Sequence, residues 1–218
     1  MGFSGVIFDF NGTLFWDTEL HNEAWNIFIA ENRLKKLSDA EKNLKMHGKT
    51  NQEILPMLFG KELTPEEVRV FIQRKETIYQ ELCLKLKMDL APGVVPLLDF
   101  LKLRNIAFTI ATSSGIGNLR FYFEHLNLEK WFDFDKVVYN DGTMKSKPDP
   151  EIFLTAMAKI QKAPREVIVF EDSLAGIAAA ERAKPGKIII VASTNEDYGR
   201  WDYPVIKSFA AVDREMFL

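Results

Sequence analysis

The sequence predicts an α/β fold in which a doubly wound parallel sheet carries an inserted, all-helical domain. Three observations carry this. Five short β-rich runs are continuously apolar rather than alternating, as strands covered on both faces are. Helical patterns separate the last four of them, so strand, helix and strand recur in the manner of crossover units. Residues 16 to 89 hold no strand pattern and interrupt that rhythm after the first run.

Each element can be justified in chain order. "GVIFDF" (Gly5–Phe10) is the first strand. In the inserted stretch Ala24, Trp25, Phe28 and Ile29 share one helix face. "SDAE" (Ser38–Glu41) and "TPEE" (Thr64–Glu67) both fit a capping box, with Pro65 suited to a first helical position. "APG" (Ala91–Gly93) reads as the return hinge. "IAFTIAT" (Ile106–Thr112) and "KVVY" (Lys136–Tyr139) follow as strands. Ile152, Phe153, Ala156, Met157 and Ile160 then mark a helix, before "VIVF" (Val167–Phe170), the helix "SLAGIAAAERA" and "KIIIVA" (Lys187–Ala192). The expected organisation is a Rossmann-like core of residues 1–15 and 90–218 with a helical cap domain of residues 16–89.

Composition removes several classes of function. A net charge of -3 makes no electrostatic case for nucleic acid or an anionic membrane. One cysteine, Cys83, allows neither an intrachain disulfide nor a cysteine zinc cluster. No run reaches membrane-spanning length, and the first residues lack the pattern of a secretory signal. A cytoplasmic monomer or weak dimer is expected.

The polar residues cluster where open parallel sheets bind ligands, beyond the carboxyl ends of the strands. Asp9 ends the first strand, Thr112, Ser113 and Ser114 the second, and Glu171 and Asp172 the fourth; Lys147 lies in a loop entering a helix. Acids, hydroxyls and a lysine on one edge suit phosphoryl transfer. Carboxylates hold Mg²⁺, which prefers oxygen ligands. Lysine, hydroxyls and amides stabilise the phosphoryl charge, and one carboxylate can serve as nucleophile.

"DFNGT", "ATSS", "SKPDPEIF" and "VIVFEDSLAGI" together resemble the four motifs of the haloacid dehalogenase superfamily, in the family's order, and the helical insertion resembles its cap. The β-phosphoglucomutase-like branch of phosphatases and mutases is the nearest. The resemblance implies that Asp9 is the nucleophile and that Lys147, Thr112 and Ser113 bind phosphate. It implies a Mg²⁺ site of Asp9, Asp172, Glu171 and the main-chain carbonyl of Asn11. In the cap, "DTELHNEAW" resembles the family's linker and holds His21, a candidate substitute base. "HGKTNQEI" (His47–Ile54) resembles its specificity loop, with Lys49 and Asn51. Lys75 matches a lysine common in the branch.

The departure is Asn11, where the family usually has an aspartate that protonates the leaving group and then activates water. Asparagine keeps the main-chain carbonyl and loses a proton exchange worth ~10²–10⁴-fold. The reading is a Mg²⁺-dependent phosphohydrolase of a small phosphorylated metabolite, working through an aspartyl-phosphate with impaired acid–base chemistry. A β-phosphoglucomutase-type mutase, a dehalogenase and a catalytically weak phosphate-binding protein are the alternatives. Asn11 and Asn51, the latter aligned with a mutase arginine, weigh against the first. The retained Glu171–Asp172 pair weighs against the second, and Asp9 with Lys147 against the third.

Overall fold

A computed structural model describes residues 2–46, 49–86 and 88–217. The chain enters a sheet with β1 (Gly5–Phe8) and leaves it for four helices, α1 (Thr18–Glu31), α2 (Asp39–Lys45), α3 (Asn51–Phe59) and α4 (Pro65–Lys85). It returns through α5 (Val94–Leu103), β2 (Ala107–Gly115), α6 (Ile116–Leu126), β3 (Val138–Asn140), α7 (Glu151–Lys159), β4 (Val167–Glu171), α8 (Leu174–Ala183), β5 (Lys187–Val191) and β6 (Val205–Ile206). Two compact units result: Met1–Trp16 with Asp89–Leu218, and Asp17–Met88.

In the first unit six parallel strands lie in the order β3-β2-β1-β4-β5-β6. β1 is fully buried between β2 and β4. Its consecutive residues show why the runs are continuously apolar, since successive side chains point to opposite faces. Ile7 packs with Val167, Val169 and the α7 and α8 residues Phe153, Ala156, Ala179 and Ala180. Phe8 instead stacks on Phe170 at 5.1 Å and meets Phe132 and Phe209 edge-on or tilted. Each face therefore has its own apolar layer.

Several limits differ from the expected ones. Phe10 falls beyond β1, whose pairing stops at Phe8. β2 runs to Gly115, past Thr112, with a register irregularity between Ala111 and Gly115. Lys136 belongs to a short 3-10 turn and not to β3. The two-residue β6 has too few positions to show a period.

Among its described residues the second unit has helices joined by loops and no strand. α1 and α3 pack on α4. Trp25 and Phe28 of α1, Phe59 of α3 and Phe71 of α4 join in an aromatic cluster. Both expected capping boxes form, at Ser38 with Glu41 and at Thr64 with Glu67, and Pro65 is the first residue of α4. His47 and Gly48 of the expected specificity loop lie outside the described residues. Among the described residues no helix is long and apolar enough to cross a membrane.

Candidate active site

The strand order reverses between β1 and β4, which is where doubly wound sheets open a binding crevice at their carboxyl edge. Asp9 follows β1 there, its N–H donating to the Phe170 carbonyl at 3.0 Å. Glu171 is the last residue of β4, and Asp172 follows it. The three carboxylates place oxygens within 4.8 Å of one another. Lys147, 4% exposed, reaches between them. Its ammonium donates to Asp9 Oδ1 at 2.6 Å and to Glu171 Oε1, and it lies 5.1 Å from the Phe153 ring centre.

The local backbone holds the remaining oxygens. Glu171 Oε2 accepts from the N–H and hydroxyl of Ser173 at 2.7 and 3.1 Å. Ser173 also caps α8, accepting from the Gly176 N–H at 3.0 Å. Asp172 Oδ1 accepts from the Thr13 hydroxyl at 3.0 Å. Two glycines make room for the acids. A Cβ on Gly176 would stand 1.7 Å from Glu171 Oε1, and one on Gly12, whose φ is +81°, 2.1 Å from Asp172 Oδ2.

One lysine does not balance three carboxylates. Burial, then the charges of Glu171 and Asp9, hold the Asp172 carboxyl well above its ordinary range. Lys147 experiences the opposite field. Burial acts to lower its pKa, but Asp9 and Glu171 outweigh it and hold the ammonium above its usual value. Crowded anionic oxygens pressed against glycine backbone fit a small divalent cation with oxygen ligands.

Asn11 is held by hydroxyls. Its Oδ1 accepts from Ser114 Oγ at 2.8 Å and Thr112 Oγ1 at 3.4 Å, and its Nδ2 donates to the Tyr122 hydroxyl at 2.8 Å. Tyr122 of α6 is buried and stacks on Phe10 with ring centres 4.4 Å apart. The Gly12 N–H donates to the Phe15 carbonyl at 2.7 Å. A side chain held on both sides, next to an engaged amide, opposes the succinimide closure to which an Asn-Gly pair is otherwise prone. Thr112 is buried and Ser113 beside it half-buried.

The helical unit gathers His21, Lys75 and Asn51 into one network. Lys75, 1% exposed, places Nζ 2.8 Å from His21 Nδ1 and 3.0 Å from Glu76 Oε1. An ammonium can only donate, so Nδ1 accepts and the ring proton sits on Nε2, 3.3 Å from Asp17 Oδ2. The Tyr79 hydroxyl donates to the same Asp17 oxygen, and its ring stacks on His21 at 3.9 Å. Asn51 Nδ2 donates to Glu76 Oε1 at 2.6 Å. Lys49 is exposed, with its backbone N–H on the Met46 carbonyl.

Sequence reasoning missed Tyr122, Asp17, Glu76 and Tyr79. Tyr122 shares an apolar helix face with Leu119 and Leu126 and reads as core. Asp17–His21 and Lys75–Tyr79 stand at i,i+4, a spacing that marks a shared helix face.

A model of the family described as haloacid dehalogenase-like hydrolase matches residues 6–190. A phosphorylated carbohydrates phosphatase from Thermotoga maritima is 33% identical across 88% of this chain and 87% of its own length. A beta-phosphoglucomutase from Bacillus subtilis is 35% identical across 82% of this chain and 79% of its own. Among solved structures, a HAD hydrolase of family IA, variant 3, from Entamoeba histolytica superposes with a TM-score of 0.89 at 35% identity, covering 98% of this chain and 97% of that one.

Proposed function

This chain belongs to the haloacid dehalogenase-like hydrolase family, and from that premise we propose that it is a slow, Mg²⁺-dependent phosphohydrolase of a small phosphorylated carbohydrate. The observation that carries the reading is the buried Lys147 joining Asp9 to Glu171, with Asp172 in the same cluster.

Asp9 is the nucleophile. Its carboxylate oxygen forms a bond to phosphorus while the ester P–O bond breaks, and the electron pair leaves on the sugar oxygen. Lys147, with Thr112 and Ser113 at the end of β2, holds the phosphoryl oxygens and offsets the charge that develops on them. Asp9, Glu171, Asp172 and the main-chain carbonyl of Asn11 are the residues that would hold Mg²⁺, which supplies further charge neutralisation when bound. Asn11 has no proton to give the leaving oxygen, which takes one from solvent. Water then attacks phosphorus, the bond to Asp9 breaks, and phosphate departs. The same asparagine cannot activate that water, so both steps lack general acid–base assistance.

Substrate choice is assigned to the helical unit, to Lys49 and the network of Asn51, Lys75 and His21. Both ring nitrogens of His21 are engaged within that unit, so the imidazole is read as a structural and recognition group in place of a free base. The two relatives named above act, by name, on phosphorylated carbohydrates and on a phosphoglucose. This favours a phosphorylated sugar, and Asn11 favours hydrolysis over mutase chemistry, which needs proton transfer in both directions.

The test is phosphate release from phosphorylated sugars and an aryl phosphate, with Mg²⁺ or with chelator, for the native protein and Asp9→Asn. Slow release that needs both Mg²⁺ and Asp9 is expected. An isomerised sugar phosphate without net release would identify a mutase. Tight sugar-phosphate binding with no turnover of either substrate would identify a binding protein.

A further inference from the structure

One phenol touches the residue at which this chain departs from its family. Tyr122 of α6 is fully buried, and its hydroxyl oxygen accepts from Asn11 Nδ2 at 2.8 Å. Its ring lies against two side chains that flank the same loop, stacked on Phe10 at 4.4 Å and tilted from Phe15 at 6.2 Å. Main-chain bonds close that loop: the Phe15 N–H donates to the Phe10 carbonyl at 3.0 Å, and the Gly12 N–H to the Phe15 carbonyl at 2.7 Å. Ring and loop are therefore packed as one piece, and the phenol oxygen has a fixed place beside position 11.

The other side of Asn11 meets β2. Ser114 Oγ donates to Asn11 Oδ1 at 2.8 Å. Thr112 Oγ1 already accepts from the Ser114 N–H at 3.1 Å, so its hydrogen is turned to Asn11 Oδ1, 3.4 Å away. α6 follows β2 without a break, Gly115 ending the strand and Ile116 opening the helix. One strand–helix segment thus grips the amide at both ends, its oxygen toward Thr112 and Ser114 and its nitrogen toward Tyr122. Hydrogen bonds at both ends of a planar amide set its orientation. Asn11 itself is half-buried, whereas Tyr122 is shut away from solvent. The amide, and not the phenol, is the group a substrate can reach.

We infer that Tyr122 is a positioning residue for the leaving group: it holds the Asn11 amide in the plane from which an N–H donates to the departing sugar oxygen. The amide keeps its proton, and the oxygen still takes its own from solvent. The hydrogen bond offsets the negative charge that builds as the P–O bond breaks. Such a donor acts only where it stands already oriented, which is what a buried partner supplies. The inference rests on the proposed phosphohydrolase reading, in which position 11 faces the leaving oxygen.

Steady-state kinetics of the full chain with Mg²⁺, on a phosphorylated sugar and an aryl phosphate, tests it through Tyr122→Phe, Asn11→Ala and the double variant. Tyr122→Phe keeps the ring contacts and removes one hydrogen bond. Its kcat on the sugar phosphate should fall about tenfold, part of the ~10²–10³-fold that an oxyanion donor is worth, with KM unchanged. The aryl phosphate should lose far less, because its leaving oxygen carries the charge unaided. Added to Asn11→Ala, the same change should cost nothing more, since the phenol acts through the amide. Equal losses on both substrates, or the full loss repeated in the Asn11→Ala background, would mark packing and overturn the inference. So would native turnover of the sugar phosphate by Tyr122→Phe. If the native chain gives no turnover that needs Mg²⁺ and Asp9, the phosphohydrolase reading and the inference fall together.

Discussion

Position 11 shows what one side-chain atom decides. Hydroxyls of Ser114, Thr112 and Tyr122 hold the Asn11 side chain, and a hydroxyl can donate or accept by rotation. At these three contacts Asn11→Asp is accommodated: Ser114 and Thr112 go on donating, and Tyr122 turns to donate as well. The variant should fold normally and turn over sugar phosphates ~10²–10⁴-fold faster. An aryl phosphate should gain less, because its leaving group needs no proton. Steady-state kinetics on one substrate of each type checks this, and equal gains would contradict the assigned role. Residues at this scale were legible where charge broke an apolar run, as Asp9, Glu171 and Asp172 do. Tyr122 was not, because a phenol on an apolar helix face gives the same pattern as a core aromatic.

At the scale of elements, local chemistry set what was readable. Capping boxes depend on residues three apart, so Ser38–Glu41 and Thr64–Glu67 could be located without knowing what packs on either helix. Strand ends depend on the neighbouring strand, and the continuation of β2 to Gly115 and the short β6 escaped for that reason. The Thr64 box opens α4, the helix that carries Lys75, Glu76 and Tyr79. Its hydroxyl accepts from the Glu67 N–H at 3.2 Å, and Glu67 accepts from the Thr64 N–H at 2.7 Å. Thr64 is exposed, so Thr64→Ala removes the cap with little packing loss. The expected cost is ~1 kcal/mol, with Thr64→Ser restoring most of it. Denaturant melts of the three proteins measure it; a Thr64→Ala variant as stable as the native protein would show that the cap contributes nothing to α4.

For the whole molecule, the switch from strand-and-helix rhythm to unbroken helical pattern marked the inserted segment, because a period is visible without contacts. The packing of Tyr198, which follows β5, on Ile190 of β5 and Ile177 of α8 was not visible, because it depends on contacts between elements distant in sequence. The electrostatic consequence is a stability that depends on pH and metal together. The Asp172 carboxyl is held above its ordinary value of 3.8 by burial and by Glu171 and Asp9. It therefore binds its proton more tightly folded than unfolded, and raising the pH favours the unfolded chain. Its contribution is full below about pH 4 and declines as pH climbs through the folded value. Other carboxyls, such as Glu31 beside Arg74 and Glu67 on Thr64, are held low and act in the opposite sense, so the comparison must be with Asp172→Asn. In chelator the melting temperature of that variant should exceed the native value by a margin that widens from acid toward neutral pH. Saturating Mg²⁺ at neutral pH should raise the native melting temperature by binding only the folded chain, and should move the variant far less. A margin that stays constant with pH would show that Asp172 is ionised alike in the folded and unfolded chain.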